Sequence, residues 1–494
     1  MVLFVGALTL VKLLVAAWTP LASDEALYWR YSKHLAAGFI DHPFVNPSMI
    51  RLGTAVFGDT PLGVRVCAVL LSLPASWALG RAARLLFDDA ALARTAVVYF
   101  NLTLVMSIGS LVATSDQAVV AATCFLLLFL AQMQSSGRGA WWLAIGATFG
   151  LGLCSKYTTA FFGVSILLWL LAMRENRRWF ATPWPWLGGL VALAVFSPVL
   201  VWNAQHHWAS LVYQSGRLTV YIWTFRYLGE LLAAVTILAT PPIFVLGCIG
   251  LATPSSRPRS ESSRGLLIAM IAPMMVYFIW HATHERVQGN WPEPAYPAFA
   301  VAAAYACHHS RHGSATLDLV GKLAARIAAP FGLALAVLAY AEATTGFLPL
   351  GRHDPRTRVL GIGWTTVGEE IDRLRARAGA RVILTTDYTL ASLTQLYLPS
   401  STPVVQISDR VRWSNEPAPS PQLFQGRALY VCKNACSKLS KVQARFDSVT
   451  PVAALRQDAS TGAGPLYHVY EVSGPKAPVL DPPTRIYGAD HEDR

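Results

Sequence analysis

Residues 23–46, SDEALYWRYSKHLAAGFIDHPFVN, follow directly on an apolar run and set five charged side chains, Asp24, Glu25, Arg30, Lys33 and Asp41, among aromatic ones. The run before them, residues 2–18, is about one bilayer thick at ~1.5 Å rise per residue. It lacks a charged leader and a small-residue cleavage site, which predicts a retained membrane span. An acidic pair directly beyond the end of such a helix is costly to hold near lipid, which points to function. The structural alternative is a solvated loop with snorkelling aromatics.

Composition agrees with a membrane protein. Of 494 residues 54% are hydrophobic and only 14% charged, and mean hydropathy is +0.41, too apolar for an ordinary soluble domain. The net charge of +12 is spread between apolar runs rather than gathered on one basic face, which excludes a nucleic-acid partner. Ten further runs, at 62–79, 92–112, 117–133, 141–154, 158–173, 184–202, 228–251, 266–280, 291–307 and 323–345, bring the expected spans to about eleven. With the first span running outward, Arg81, Arg84, Arg94, Arg174, Arg177 and Arg178 fall inside, as the positive-inside rule asks. The same orientation gathers Asp24, Glu25, Asp41, Asp116, Glu285 and Glu293 on the outer side, as a site would. His308, His309 and His312 fall on the inner flank.

The expected architecture is an α-helical multi-span domain over residues 1–348, then a small extracytoplasmic α/β domain over 349–473. There, residues 366–378 form a helix with Val367, Ile371 and Leu374 on one face, and 381–385 a buried strand. Cys432 and Cys436 form either a disulfide or two free thiols, because spacing does not fix geometry. Residues 474–494, rich in Pro and charge, read as a poorly ordered tail.

Asp24 and Glu25 are carboxylates suited to act as general base toward a sugar or lipid hydroxyl. Asp116, in the short turn ATSDQ, is a second catalytic candidate, although Ser115 or Asp116 would equally cap the next helix. Lys156 in GLCSKYT, with Arg217 and Arg286 beside it on the outer side, offers positive charge to a departing phosphate. Snorkelling is the alternative for the lysine. Tyr28, Asp41, His42, Asn290 and Trp291 complete the expected substrate pocket. His281 and His284, three apart and followed by Glu285, resemble half a metal site with no third ligand at a compelling spacing, so no metal and no cofactor is expected.

The segments DEALYWRYSKHLAAGFIDHP, TSDQA, GLGLCSKYT, SPVLVWNAQHHW and GNWPEPAYPA, in that order, resemble the bacterial glycosyltransferase family 39 enzymes. These are relatives of dolichyl-phosphate-mannose protein mannosyltransferases, of rhizobial lipopolysaccharide galacturonosyltransferases and, more remotely, of lipid A aminoarabinose transferases. The resemblance covers roughly residues 5–400 and implies a C-type glycosyltransferase fold in the bacterial inner membrane. It also implies a polyprenyl-phosphate-linked sugar donor, a lipid or polysaccharide acceptor and action at the outer face without a nucleotide sugar. Asp24 matches the family's acid in the first outer loop, Asp116 that of the second, and Lys156 the lysine of its GLG-x-x-SKY segment. The chain departs from the usual DHPP at Phe44 and Asn46. Protein O-mannosylation shares this chemistry with another acceptor. A transporter or flippase would need paired, internally symmetric halves, and the sequence has no such repeat.

Overall fold

The computed structural model describes every residue except 217–222, 256, 309–313, 400, 459–461, 463, 477 and 483–494. The first apolar run is helix α1 (Val2–Trp18), and the chain then bends by 87° into α2 (Ser23–Lys33). α3 (Val45–Phe57) leads to the long α4 (Pro61–Phe87). The bend after α1 is held from α4. Buried Arg65 donates to the carbonyls of Ala16, Thr19 and Pro20 at 3.1, 2.7 and 2.7 Å, the orphan acceptors of a helix end. The same guanidinium grips both oxygens of Glu25 at 2.7 and 2.6 Å.

Local signals fix the next connection. Asp88 takes a left-handed conformation that stops α4, and the Asp89 carboxylate accepts the amides of Ala91 and Leu92 to start α5 (Ala90–Leu102). Then come α6 (Leu104–Gly109), α7 (Asp116–Ser136), α8 (Trp141–Leu153), α9 (Ala160–Ala172), α10 (Trp184–Gln205) and α11 (Ala209–Ser215). α12 (Arg226–Leu238), α13 (Pro241–Ala252), α14 (Pro258–His281), α15 (Tyr296–His308) and α16 (Ala315–Thr345) complete the bundle. Backbones approach closely where side chains vanish. A Cβ on Gly146 of α8 would lie 2.0 Å from the Gly188 carbonyl of α10, and one on Gly250 of α13 equally near Ala302 of α15.

Among the described residues α4, α7, α10, α14 and α16 are long and apolar enough to cross a membrane, or up to eight spans if each bent pair counts as one. The eleven expected runs therefore do not map one to one onto bilayer-length helices. Run 92–112 divides at Thr103, and run 228–251 at Thr240, where positive φ and the following prolines turn the chain by 102°. One hydroxyl joins the two breaks: Thr240 Oγ1 donates to the Leu102 carbonyl and accepts from the Leu104 amide, both at 3.0 Å.

Beyond α16, the short α17 (Pro355–Arg358) precedes α18 (Trp364–Ala378), which buries Val367 and Ile371. β1 (Ile383–Thr385), α19 (Tyr388–Tyr397), β2 (Val404–Gln406), β3 (Ala428–Lys433), α20 (Leu439–Gln443), β4 (Phe446–Arg456) and β5 (Leu466–Pro475) follow. The sheet order is β2-β1-β3-β5-β4, with β1 parallel to both neighbours and β5 antiparallel to β3 and β4. Cys432 and Cys436 are joined as a disulfide. Ordered structure runs past residue 473, since β5 extends to Pro475 and the Asp481 amide donates to the Ile407 carbonyl at 2.8 Å.

This unit is not a free appendage. Leu27 and Tyr31 of α2 share a core with Leu390 of α19 and with Trp413. Arg30 adds a two-pronged ion pair to Glu416 at 2.6 and 2.7 Å and lies over the Trp413 ring.

Candidate active site

At the end of the bundle where α2 meets the sheet unit lies a cavity of about 530 Å³, lined by Asp24, Tyr28, Asp41, His42, Asp116, Lys156, Asn290, Trp291 and Tyr388, with Tyr213 and Gln214 from α11. Six segments distant in sequence converge there. A second groove of about 500 Å³, near Arg81, Arg84 and Arg94, is lined by no carboxylate among the described residues.

Asp24 opens into the cavity. The protein around it removes most bulk water, and that desolvation, followed by the charges of Asp41, Glu25 and Asp116, pushes its carboxyl up to about 6, with Lys156 pulling the other way. Among the described residues its carboxylate has no hydrogen bond to another side chain.

Asp116, by contrast, is committed. Lys156 Nζ donates to its Oδ1 at 2.6 Å, and Asn290 Nδ2 to its Oδ2 at 2.9 Å. The N-cap reading of this turn fails in detail: neither Ser115 nor Asp116 caps α7. Gln117 takes over, accepting from the Thr114 amide and donating to the Gly109 carbonyl at 3.1 and 2.6 Å, which leaves Asp116 for the lysine. Ser155 Oγ on the Ser115 carbonyl at 2.8 Å ties the two segments together. Asn46, where the family pattern is broken, is fully buried and donates to the Ala113 carbonyl at 3.1 Å. It supports the Asp116 turn and, like Phe44, does not line the cavity. Behind the pair, buried Glu293 has its carboxyl held well above the usual range by desolvation and then by the charge of Asp116.

Two expected site residues are displaced. Glu25 does not reach the cavity: besides Arg65 it accepts the amides of Ala113 at 2.9 Å and Ala22 at 2.8 Å, so both oxygens are consumed by the bend. Arg286 is exposed and pairs with Glu230 at 2.8 Å, away from the lining. Arg217, together with Arg311, His309 and His312, lies outside the described residues. Among the described residues no three His, Cys, Asp or Glu side chains cluster as metal ligands.

Asp41 lines the cavity but is paired, unlike Asp24. Burial opposes its ionisation, yet Arg412, through charge and hydrogen bonds, and the Tyr31 hydroxyl at 2.5 Å hold its carboxyl below the usual range. Arg412 and Tyr388 escaped sequence reading. The only local sign is an arginine flanked by Val411 and Trp413 in a polar stretch.

The fold is shared with a solved membrane-protein structure, and part of the sequence matches the family to which the motifs pointed. The family described as dolichyl-phosphate-mannose-protein mannosyltransferase matches residues 41–202. The lipid A galacturonosyltransferase RgtD of Rhizobium johnstonii is 24% identical over 302 residues, 57% of this chain and 59% of that protein, so the chain spans less than two thirds of this relative's length. The crystal structure of ArnT from Cupriavidus metallidurans bound to undecaprenyl phosphate superposes with a TM-score of 0.64 at 16% identity, covering 97% of this chain and 99% of that one. The apo form of the same protein gives 0.63 at 14% identity, covering 97% and 98%.

Proposed function

We propose that the chain transfers a sugar from a polyprenyl-phosphate donor to a lipid or polysaccharide acceptor at the outer face of the bacterial inner membrane, with inversion. The observation that carries this reading is a single open carboxylate, Asp24, sharing one cavity with the Lys156–Asp116 pair. The undecaprenyl phosphate bound to ArnT and the lipid A galacturonosyltransferase activity of RgtD support the donor and acceptor classes.

In this mechanism the acceptor oxygen bonds to the anomeric carbon and its proton passes to Asp24. The bond from that carbon to the phosphate oxygen breaks on the opposite face, and its electron pair leaves with the phosphate. At neutral pH a carboxyl titrating at about 6 is mostly ionised, and it is better matched to a hydroxyl proton than an ordinary carboxylate. Asp116 is unsuited to the base role because both its oxygens are engaged. It holds Lys156, whose remaining donors serve the phosphate as its charge grows. Glu25 acts as a positioning residue, fixing the first turn of α2 on which Asp24 sits.

The test is turnover of purified Asp24→Asn on a polyprenyl-phosphate sugar with an envelope lipid acceptor. A fall of ~10² to 10⁴ with intact folding is expected; near-normal transfer removes Asp24 from the chemistry.

A further inference from the structure

The sheet unit carries a pocket that the transfer chemistry does not use. In the strand order β2-β1-β3 the chain moves from β1 to one side and then crosses to the other. The crevice beyond the carboxyl ends of β1 and β3 is therefore a topological switch point, the place where open α/β sheets bind ligands. A cavity of about 80 Å³ lies there, lined by Thr386, Asp387 and Tyr388 after β1, by Tyr430, Cys432 and Lys433 of β3, and by Ser437 and Lys438. That is room for several waters or one tetrahedral oxyanion, and too little for a sugar ring.

Its chemistry is cationic and rich in hydroxyls. Neither Lys433 nor Lys438 pairs with a carboxylate among the described residues; the one polar contact recorded for Lys438 Nζ is a long 3.5 Å to the Thr386 carbonyl. The single acid in the lining, Asp387, accepts through Oδ1 from the Leu390 amide at 2.8 Å and the Thr389 hydroxyl at 2.6 Å at the start of α19, so two lysines face one carboxylate and the lining keeps a net positive charge. Buried Thr386 and Tyr430 hydroxyls meet at 3.0 Å on the wall. The loop bearing the lysines is locked: the Cys432–Cys436 disulfide closes it, and Asn434 and Cys436 hold positive φ. The pocket also touches the transfer site, because Tyr388 lines both cavities.

We infer that this pocket binds a phosphomonoester of the acceptor, anchoring a phosphorylated lipid saccharide while its hydroxyl reaches Asp24. The inference rests on the transferase reading for its acceptor, but not for its anion chemistry.

Two measurements on the full-length protein in detergent test it. In the first, inorganic phosphate is titrated and followed by phosphorus NMR line width. The Lys433→Gln/Lys438→Gln variant should bind about ten-fold or more weakly, the effect of losing charge-assisted contacts. Lys156→Met/Asp116→Asn, which removes the transfer-site cation without stranding its carboxylate, loses whatever phosphate the transfer site takes and should keep the component of binding that the lysine double variant lacks. In the second, a phosphorylated glucosamine-disaccharide lipid is compared as acceptor with its dephosphorylated form. The lysine double variant should raise KM for the phosphorylated acceptor by about ten-fold, leave kcat unchanged, and show no difference from wild type on the dephosphorylated one. Equal phosphate binding in wild type and the Lys433→Gln/Lys438→Gln variant, with all of the binding lost in Lys156→Met/Asp116→Asn instead, overturns the pocket. Normal phosphate binding with no KM difference between the two acceptors overturns its assignment to the acceptor. Absence of transfer in the wild type would count against the transferase reading alone.

Discussion

At the scale of single residues, the cavity divides its carboxylates by what they touch. Asp24 has the raised carboxyl and the open face, so turnover should rise with pH through about 6 and level off above it, since only the ionised form accepts a proton. Asp24→Asn should lose both the activity and that limb of the profile. The stability sign is opposite. A carboxyl raised in the folded state favours the fold while protonated, and that contribution fades as pH climbs from the ordinary carboxylate range through about 6. At neutral pH Asp24→Asn should therefore leave stability equal or higher, by at most about 1 kcal/mol because the group contacts cavity solvent, and the melting temperature should not fall. A clear drop in melting temperature would make Asp24 structural. Lys156 calls for a paired design. Lys156→Met strands the buried Asp116 carboxylate and should destabilise by ~3–5 kcal/mol. Lys156→Met/Asp116→Asn should recover most of that while turnover per folded molecule stays down by ~10² or more. Wild-type turnover in the double variant would reduce Lys156 to an anchor.

At the scale of elements, the bend between α1 and α2 sets Asp24 in place, and it depends on Glu25 and Arg65. Glu25→Gln and Arg65→Met should each destabilise by ~3–5 kcal/mol, since either leaves a fully buried charge without its partner. Turnover normalised to folded protein should fall far less than in Asp24→Asn, and an equal fall would return Glu25 to the chemistry. The sequence could name the Asp24–Glu25 pair but not divide it. Neighbours on a helix point about 100° apart, so only one can face the cavity, and which one depends on Arg65, forty positions away. The helix breaks were partly legible. Pro241 and Pro242 announce the turn inside run 228–251, whereas nothing near Thr103 signals that its run ends there; the reason is the Thr240 hydroxyl from another helix.

At the scale of the whole molecule, the motifs and their order were legible because the bundle presents them at one end: Asp24, Asp116, Lys156 and Asn290 do meet. The contribution of the sheet unit was not, because Arg412 reaches Asp41 across 371 positions and no local pattern encodes that contact. If the unit lies outside the cytoplasm, a reporter active only there should work when fused after Leu350, and an active cytoplasmic reporter at that point would reverse the topology. The unit also bears on the chemistry itself. Asp41, gripped by Arg412, is the largest charge influence raising Asp24 after desolvation. Replacing it by Asn removes a neighbouring negative charge, so the Asp24 carboxyl must fall and ionise at lower pH. Asp41→Asn keeps an amide oxygen for the Tyr31 hydroxyl and for one arm of Arg412, which limits the damage to docking. Its acid limb should accordingly move below about 6 by ~0.5–1 pH unit. The shift is read from kcat/KM against pH on folded enzyme, and a limb that stays in place in Asp41→Asn would show that the group titrating there is not Asp24.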